Sequence, residues 1–109
     1  MEANKKLLIY GLSTETERVL NEWNGKYNVI GLLDGFKTSG QQFGYPILDI
    51  NDVVKLENII IIVVARPGSC KAIAKRIGDL CRENNVELSD IRGKDLLADT
   101  RVAYDLTAA

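Results

Sequence analysis

The 109-residue chain predicts an α/β fold of three layers, built on a mainly parallel five-stranded sheet in the order 3-2-1-4-5. Two short apolar runs, Leu7 to Tyr10 and Ile59 to Ala65, are continuous rather than alternating, as in strands buried on both faces. The segments after them carry apolar residues at helical spacing. Strand and helix then alternate along the chain, a pattern that calls for parallel pairing through crossover connections.

The first strand, Leu7-Leu8-Ile9-Tyr10, stops at Gly11. Ser13 or Thr14 can cap the next helix, Thr14 and Glu17 have the capping-box spacing, and Thr16, Val19, Leu20 and Trp23 form its apolar stripe. That helix ends near Asn24-Gly25. Tyr27 to Asp34 (YNVIGLLD) reads as the second strand, closed by Asp34-Gly35. A polar, glycine-rich loop from Phe36 to Gly44 leads to Tyr45-Pro46-Ile47-Leu48, whose proline suits a short or edge strand.

Asn51 to Leu56 has room for one or two helical turns. Ile59 to Ala65 is β-branched along nearly its whole length and predicts a central strand. Arg66-Pro67-Gly68 breaks it, and Ser69 is expected to cap a helix carrying Cys70, Ile73, Ala74, Ile77 and Cys81 on one face. Asn84-Asn85 closes that helix, and Val86 to Ile91 supplies the last strand. Residues 1–93 are expected to form the domain, with residues 94–109 a terminal helix or a linker to a following module.

Composition narrows the function classes. Hydrophobic residues make up 46% and charged residues 27%, ordinary for a globular protein. A formal net charge of -1 with no basic block argues against a nucleic-acid partner. The longest apolar run is too short for a bilayer span, and the first residues lack the features of a secretory signal, so a cytoplasmic location is expected. Cys70 and Cys81, about 16 Å apart along one helix, are expected to be free thiols. The absence of histidine excludes Ser-His and Cys-His dyads and the usual zinc sites.

In a parallel sheet of this kind ligands bind at the carboxyl ends of the strands, where helix N-termini offer amides to a phosphate. The first such turn is Gly11-Leu12-Ser13-Thr14-Glu15-Thr16. Against the phosphate-cradling pattern G-x-G-x-x-G, Gly11 matches, while Ser13 and Thr16 stand in the second and third glycine positions. Glu15 and Glu17 would face any phosphate bound there, so the turn reads either as a pyrophosphate cradle or as a fold-stabilising cap. Asp34, at the end of the second strand, stands where an acidic residue holds a ribose hydroxyl, and Asp-Gly is equally a turn signal. Arg66-Pro67-Gly68-Ser69 combines a cation with a helix N-terminus, suited to a phosphate or carboxylate, or is a loop with its cap. Cys70, on the apolar stripe, reads as core.

These segments, LLIYG, VIGLLD, GYPIL and IIIIVVA with its helix, resemble the small Rossmann-like N-terminal domains of bacterial sugar-modifying enzymes, among them nucleotide-sugar acetyltransferases. They also resemble NAD- and CoA-binding-type domains placed before other modules. Asp90-Ile-Arg-Gly-Lys-Asp-Leu-Leu is similar to the join between such a domain and a hydrolase-like or glycosyltransferase module. The resemblance implies binding of a nucleotide, a nucleotide-sugar or NAD(P) around Gly11, Ser13, Thr14, Asp34, Arg66, Gly68 and Ser69. It further implies an accessory role without catalysis, and a module beyond Ala109. A homo-oligomer stays open, as does a second class of function, in which the site is lost and the domain serves interaction or dimerisation.

Overall fold

A computed structural model describes residues 5–98. The order of elements is β1 (Lys6–Tyr10), α1 (Thr14–Trp23), β2 (Asn28–Leu33), β3 (Gln41–Gln42), β4 (Tyr45–Pro46), α2 (Ile50–Val53), β5 (Ile59–Val63), α3 (Pro67–Glu83) and β6 (Glu87–Asp90). The main sheet has four strands, all parallel, in the order β2-β1-β5-β6. Every residue of β5 is buried, as its unbroken isoleucine run requires.

The expected fifth strand is not formed. Ile47 makes a single parallel bridge to Leu32, and the Leu48 amide donates to the Leu32 carbonyl at 2.9 Å. Tyr45 and Pro46 instead pair backwards with Gln42 and Gln41 in a two-stranded hairpin. The turn of that hairpin has positive φ at both Phe43 (54°) and Gly44 (84°), the backbone twist that lets two residues join antiparallel strands. Pro46 has no N–H to extend a ladder along β2, so the segment touches the sheet at one point of its edge. Gly31 makes that contact close: a Cβ there would lie 2.8 Å from Leu48 Cδ1 and 3.0 Å from the Pro46 carbonyl.

Three layers follow from which faces are apolar. Val19 and Leu20 of α1 pack on Ile9, Leu32, Ile47 and Val64. Across the sheet, Cys70, Ile73, Ala74, Ile77 and Cys81 of α3, with Val53 of α2, pack on Leu8, Tyr10, Leu33, Ile61 and Val63. Burying each large aliphatic side chain contributes about 1.5–3 kcal/mol, so this double-sided core dominates stability. Because α1 leads from β1 to β2 and α3 leads from β5 to β6 on the opposite face, the chain changes direction between β1 and β5.

Leu7, Ile60 and Ile62 form a separate cluster on the α1 side, met by Trp23 and Val29. Both cysteines are free and buried. After β6, Asp95 bridges back to Ser89, its carboxylate accepts from the Leu97 and Ala98 amides, and residues 96–98 turn helical. Leu96 is buried in the main core. The rest of the expected terminal helix or linker lies outside the described residues. Among the described residues no helix is long and apolar enough to cross a membrane.

Candidate functional site

The carboxyl ends of β1, β2 and β5 form one rim, since Tyr10 stands in register with both Leu33 and Val63. The sequence-predicted residues therefore share an edge of the sheet: Gly11, Ser13 and Thr14 after β1, Asp34 after β2, and Arg66, Gly68 and Ser69 after β5.

Gly11 has φ 137°, and a Cβ there would lie 2.8 Å from the Val64 carbonyl oxygen. The packing of β1 on the end of β5 is enough to require glycine. Ser13 is the N-cap of α1, but its side chain makes no cap hydrogen bond, and Thr14 is the first residue of the helix. The Thr14–Glu17 capping box is thus not built; the Glu17 amide donates to the Ser13 carbonyl instead. Thr16 is fully buried, and its Oγ1 would sit 3.3 Å from a Cβ on Gly11. It fills the space that a third glycine leaves open in a pyrophosphate cradle.

The electrostatics of this turn are settled within α1. Arg18 pairs with Glu15 and with Glu22, and its hydrogen bond holds the Glu15 carboxyl below its usual range. Three glutamates stand against one arginine in the helix, two of them in its first turn. Those charges complement the α1 N-terminus and repel a phosphate there.

Asp34 is committed to its own loop. One carboxylate oxygen accepts from the Phe36 and Lys37 amides, each at 3.0 Å. Burial pushes the Asp34 carboxyl up, but the amides of Lys37, Phe36 and Gly35 and the Lys37 charge outweigh it and hold the group below its ordinary value. The turn that follows presents Phe36 at 94% exposure, the most exposed large hydrophobic side chain of the described residues.

Around Arg66 the structure corrects the expected cap. Pro67 begins α3 and Arg66 is its N-cap, so Gly68 and Ser69 lie within the first turn rather than before it. Proline suits the first helical position because its missing N–H would have no partner there. The first turn holds no acidic residue, and Arg66, Gly68 and Ser69 are exposed. Cys70 is buried: its thiol donates to the Ala65 carbonyl at 3.4 Å, and burial, then Asp90, pushes its pKa up.

Two features escaped the sequence. Tyr10, Gly35 and Arg76 converge on the α3 side of the rim; Tyr10 ends β1 and Arg76 is exposed on α3, and only the crossing of β1 beneath α3 joins them. A groove of about 790 Å³ also runs along β6, lined by Trp23, Ile60, Ile62, Arg82, Ser89 and Leu97 among others. It exists because no helix among the described residues covers β6 on the α1 side, an absence that local spacing does not signal.

Among the described residues no group of His, Cys, Asp or Glu is arranged to hold a metal ion. Compared with family models, curated proteins and solved structures, the chain matches none.

Proposed function

We propose that this chain is a binding domain for a phosphorylated small ligand of the nucleotide or nucleotide-sugar type, acting as an accessory module, without catalysis of its own, of a larger bacterial enzyme of sugar or polysaccharide metabolism. The observation that carries the reading is the opposite charge of the two helix N-termini on one rim. The first turn of α1 holds Glu15 and Glu17, whereas α3 has Arg66 at its N-cap and no carboxylate before Asp79, with Lys71, Lys75 and Arg76 in between. An anion at this rim is drawn to the α3 side, where helix dipole and side chains act together. NAD(P) held in the usual dinucleotide manner fits less well, because Ser13 and the buried Thr16 close the first turn where its pyrophosphate would lie.

The test is thermal unfolding of the purified chain with millimolar NAD, NADP, ATP, CoA and a UDP-sugar, since a ligand of the native state raises Tm by mass action. A rise with one of them, lost in Arg66→Ala, supports the reading. No rise with any of them rejects it.

A second reading, an interaction or dimerisation module with a degenerate site, is favoured by the filled α1 turn and the groove along β6. It expects association that depends on protein concentration and is weakened by Ile91→Asp, measured by analytical ultracentrifugation. Ile91 lines the groove at 42% exposure.

A further inference from the structure

Gly35 is a rim glycine that its backbone does not explain and, unlike Gly68, one whose Cβ would meet other side chains. It has no positive φ, unlike Gly11, Gly40 and Gly44. What it provides is space: a Cβ at Gly35 would lie 3.3 Å from the Tyr10 hydroxyl, 3.4 Å from Arg76 Nη1 and 3.6 Å from Nη2. A phenol from the end of β1 and a guanidinium from the middle of α3 thus flank one point that a side chain would occupy.

Among the described residues neither group is taken up by an ion pair or side-chain hydrogen bond to a third residue. Arg76 takes part in none of the ion pairs found among the described residues, although the exposed Arg18 and the partly buried Arg82 both do. Asp34, whose charge acts on Tyr10, is turned into the amides of Phe36 and Lys37. Burial raises the Tyr10 pKa, Arg76 lowers it and Asp34 raises it, and the net rise keeps the hydroxyl a donor across the neutral range. A forked guanidinium beside an O–H donor is an arrangement that holds the oxygens of a phosphate.

We infer that Tyr10, Gly35 and Arg76 form an oxyanion subsite, which holds a phosphate group of the bound ligand through the Arg76 fork and the Tyr10 hydroxyl over the open Cα of Gly35. The inference rests on the proposed binding of a phosphorylated ligand, and on the α3 side of the rim it places direct contact with the phosphate on side chains, with Arg66 and the α3 N-terminus adding longer-range attraction. Lys37, in the same loop, adds positive charge, and Asp34 opposes it, so affinity should fall steeply with salt.

The experiment is a titration of the full chain, followed by the backbone amide and arginine Nε signals in nitrogen-edited NMR, with sodium pyrophosphate and separately with UDP-glucose at fixed ionic strength. Both ligands should move the Gly35 amide and the Arg76 Nε–H. Arg76→Gln and Gly35→Ala should each weaken both about tenfold or more, and Tyr10→Phe less, with native Tm in all three. Pyrophosphate acting alone at Gly35 and Arg76 upholds the subsite and removes the nucleotide reading. UDP-glucose shifts centred on Gly68 and Ser69 and indifferent to Arg76→Gln overturn the subsite and leave the nucleotide reading standing. No shift with either ligand also overturns the subsite, and the wider ligand screen then decides the function by itself.

Discussion

Thr16 and Gly11 close the first turn of the rim between them: the buried Thr16 hydroxyl would lie 3.3 Å from a Cβ on Gly11, and it has no hydrogen-bond partner among the described residues. A threonine hydroxyl within a helix ordinarily reaches back to a carbonyl of the preceding turn. Here it is held against β1 instead. A buried hydroxyl without a partner costs stability, whereas a methyl of the same shape does not. Thr16→Val should therefore stabilise the fold by about 1 kcal/mol, read as a higher urea midpoint at unchanged slope. A loss of stability would mean that the hydroxyl has a partner, most simply a water or a ligand.

Gly11→Ala should act strongly in the opposite direction. The new methyl meets the Val64 carbonyl oxygen at 2.8 Å on a backbone with φ 137°, and the Gly11 amide is held in place by its hydrogen bond to the Leu33 carbonyl. Strain plus overpacking costs about 2–4 kcal/mol. Equilibrium unfolding measures it, and a cost below about 1 kcal/mol would show that the turn can open, as a working phosphate cradle needs.

Asp34→Ala removes the acceptor of two amides and should cost about 1 kcal/mol at pH 7. The sign with pH follows from the lowered pKa: this stability is present above the unfolded carboxyl value, about 3.9, and is lost as pH falls through the folded value. The difference between wild type and variant at pH 7 should shrink as pH falls toward 2. An equal difference at both pH values would assign the cost to loop packing instead of the charge.

The core was legible because its signals are local. The continuous runs around Leu8 and Ile61, and the stripes Val19–Leu20 and Ile73–Ile77, each predict an element buried on a known face, and each is found there. The parallel pairing of β2, β1, β5 and β6 was legible in the alternation of strand and helix, while the expected five-stranded order was not met. Tyr45 to Leu48 supplies a short strand, Tyr45–Pro46, but not one of the main sheet, because a positive-φ turn at Phe43-Gly44 folds it onto Gln41–Gln42, and nothing in its apolar pattern announces that competition. Ser69 failed as a cap because Pro67 is better suited to the first helical position. The Tyr10–Arg76 approach joins residues far apart in sequence on two elements, so spacing along the chain carries no trace of it.

Cys81 offers a test of the core itself. It is fully buried under α3, and burial pushes its thiol pKa from 9.0 to about 11, with Arg82 opposing. Between those values the unfolded chain releases the proton and the folded chain keeps it, so folding stability must fall as pH rises from about 9 to 11. Cys70, also raised, adds to the same slope. Replacing Cys81 by Ala should cost about 1 kcal/mol at pH 7 through the lost packing, yet make the decline above pH 9 shallower. Urea unfolding at pH 7, 9 and 10.5 reads both effects. The same burial predicts that a thiol reagent reaches Cys81 only as fast as the domain opens, and rapid labelling in native buffer would mean that α3 lifts from β5 and β6 locally.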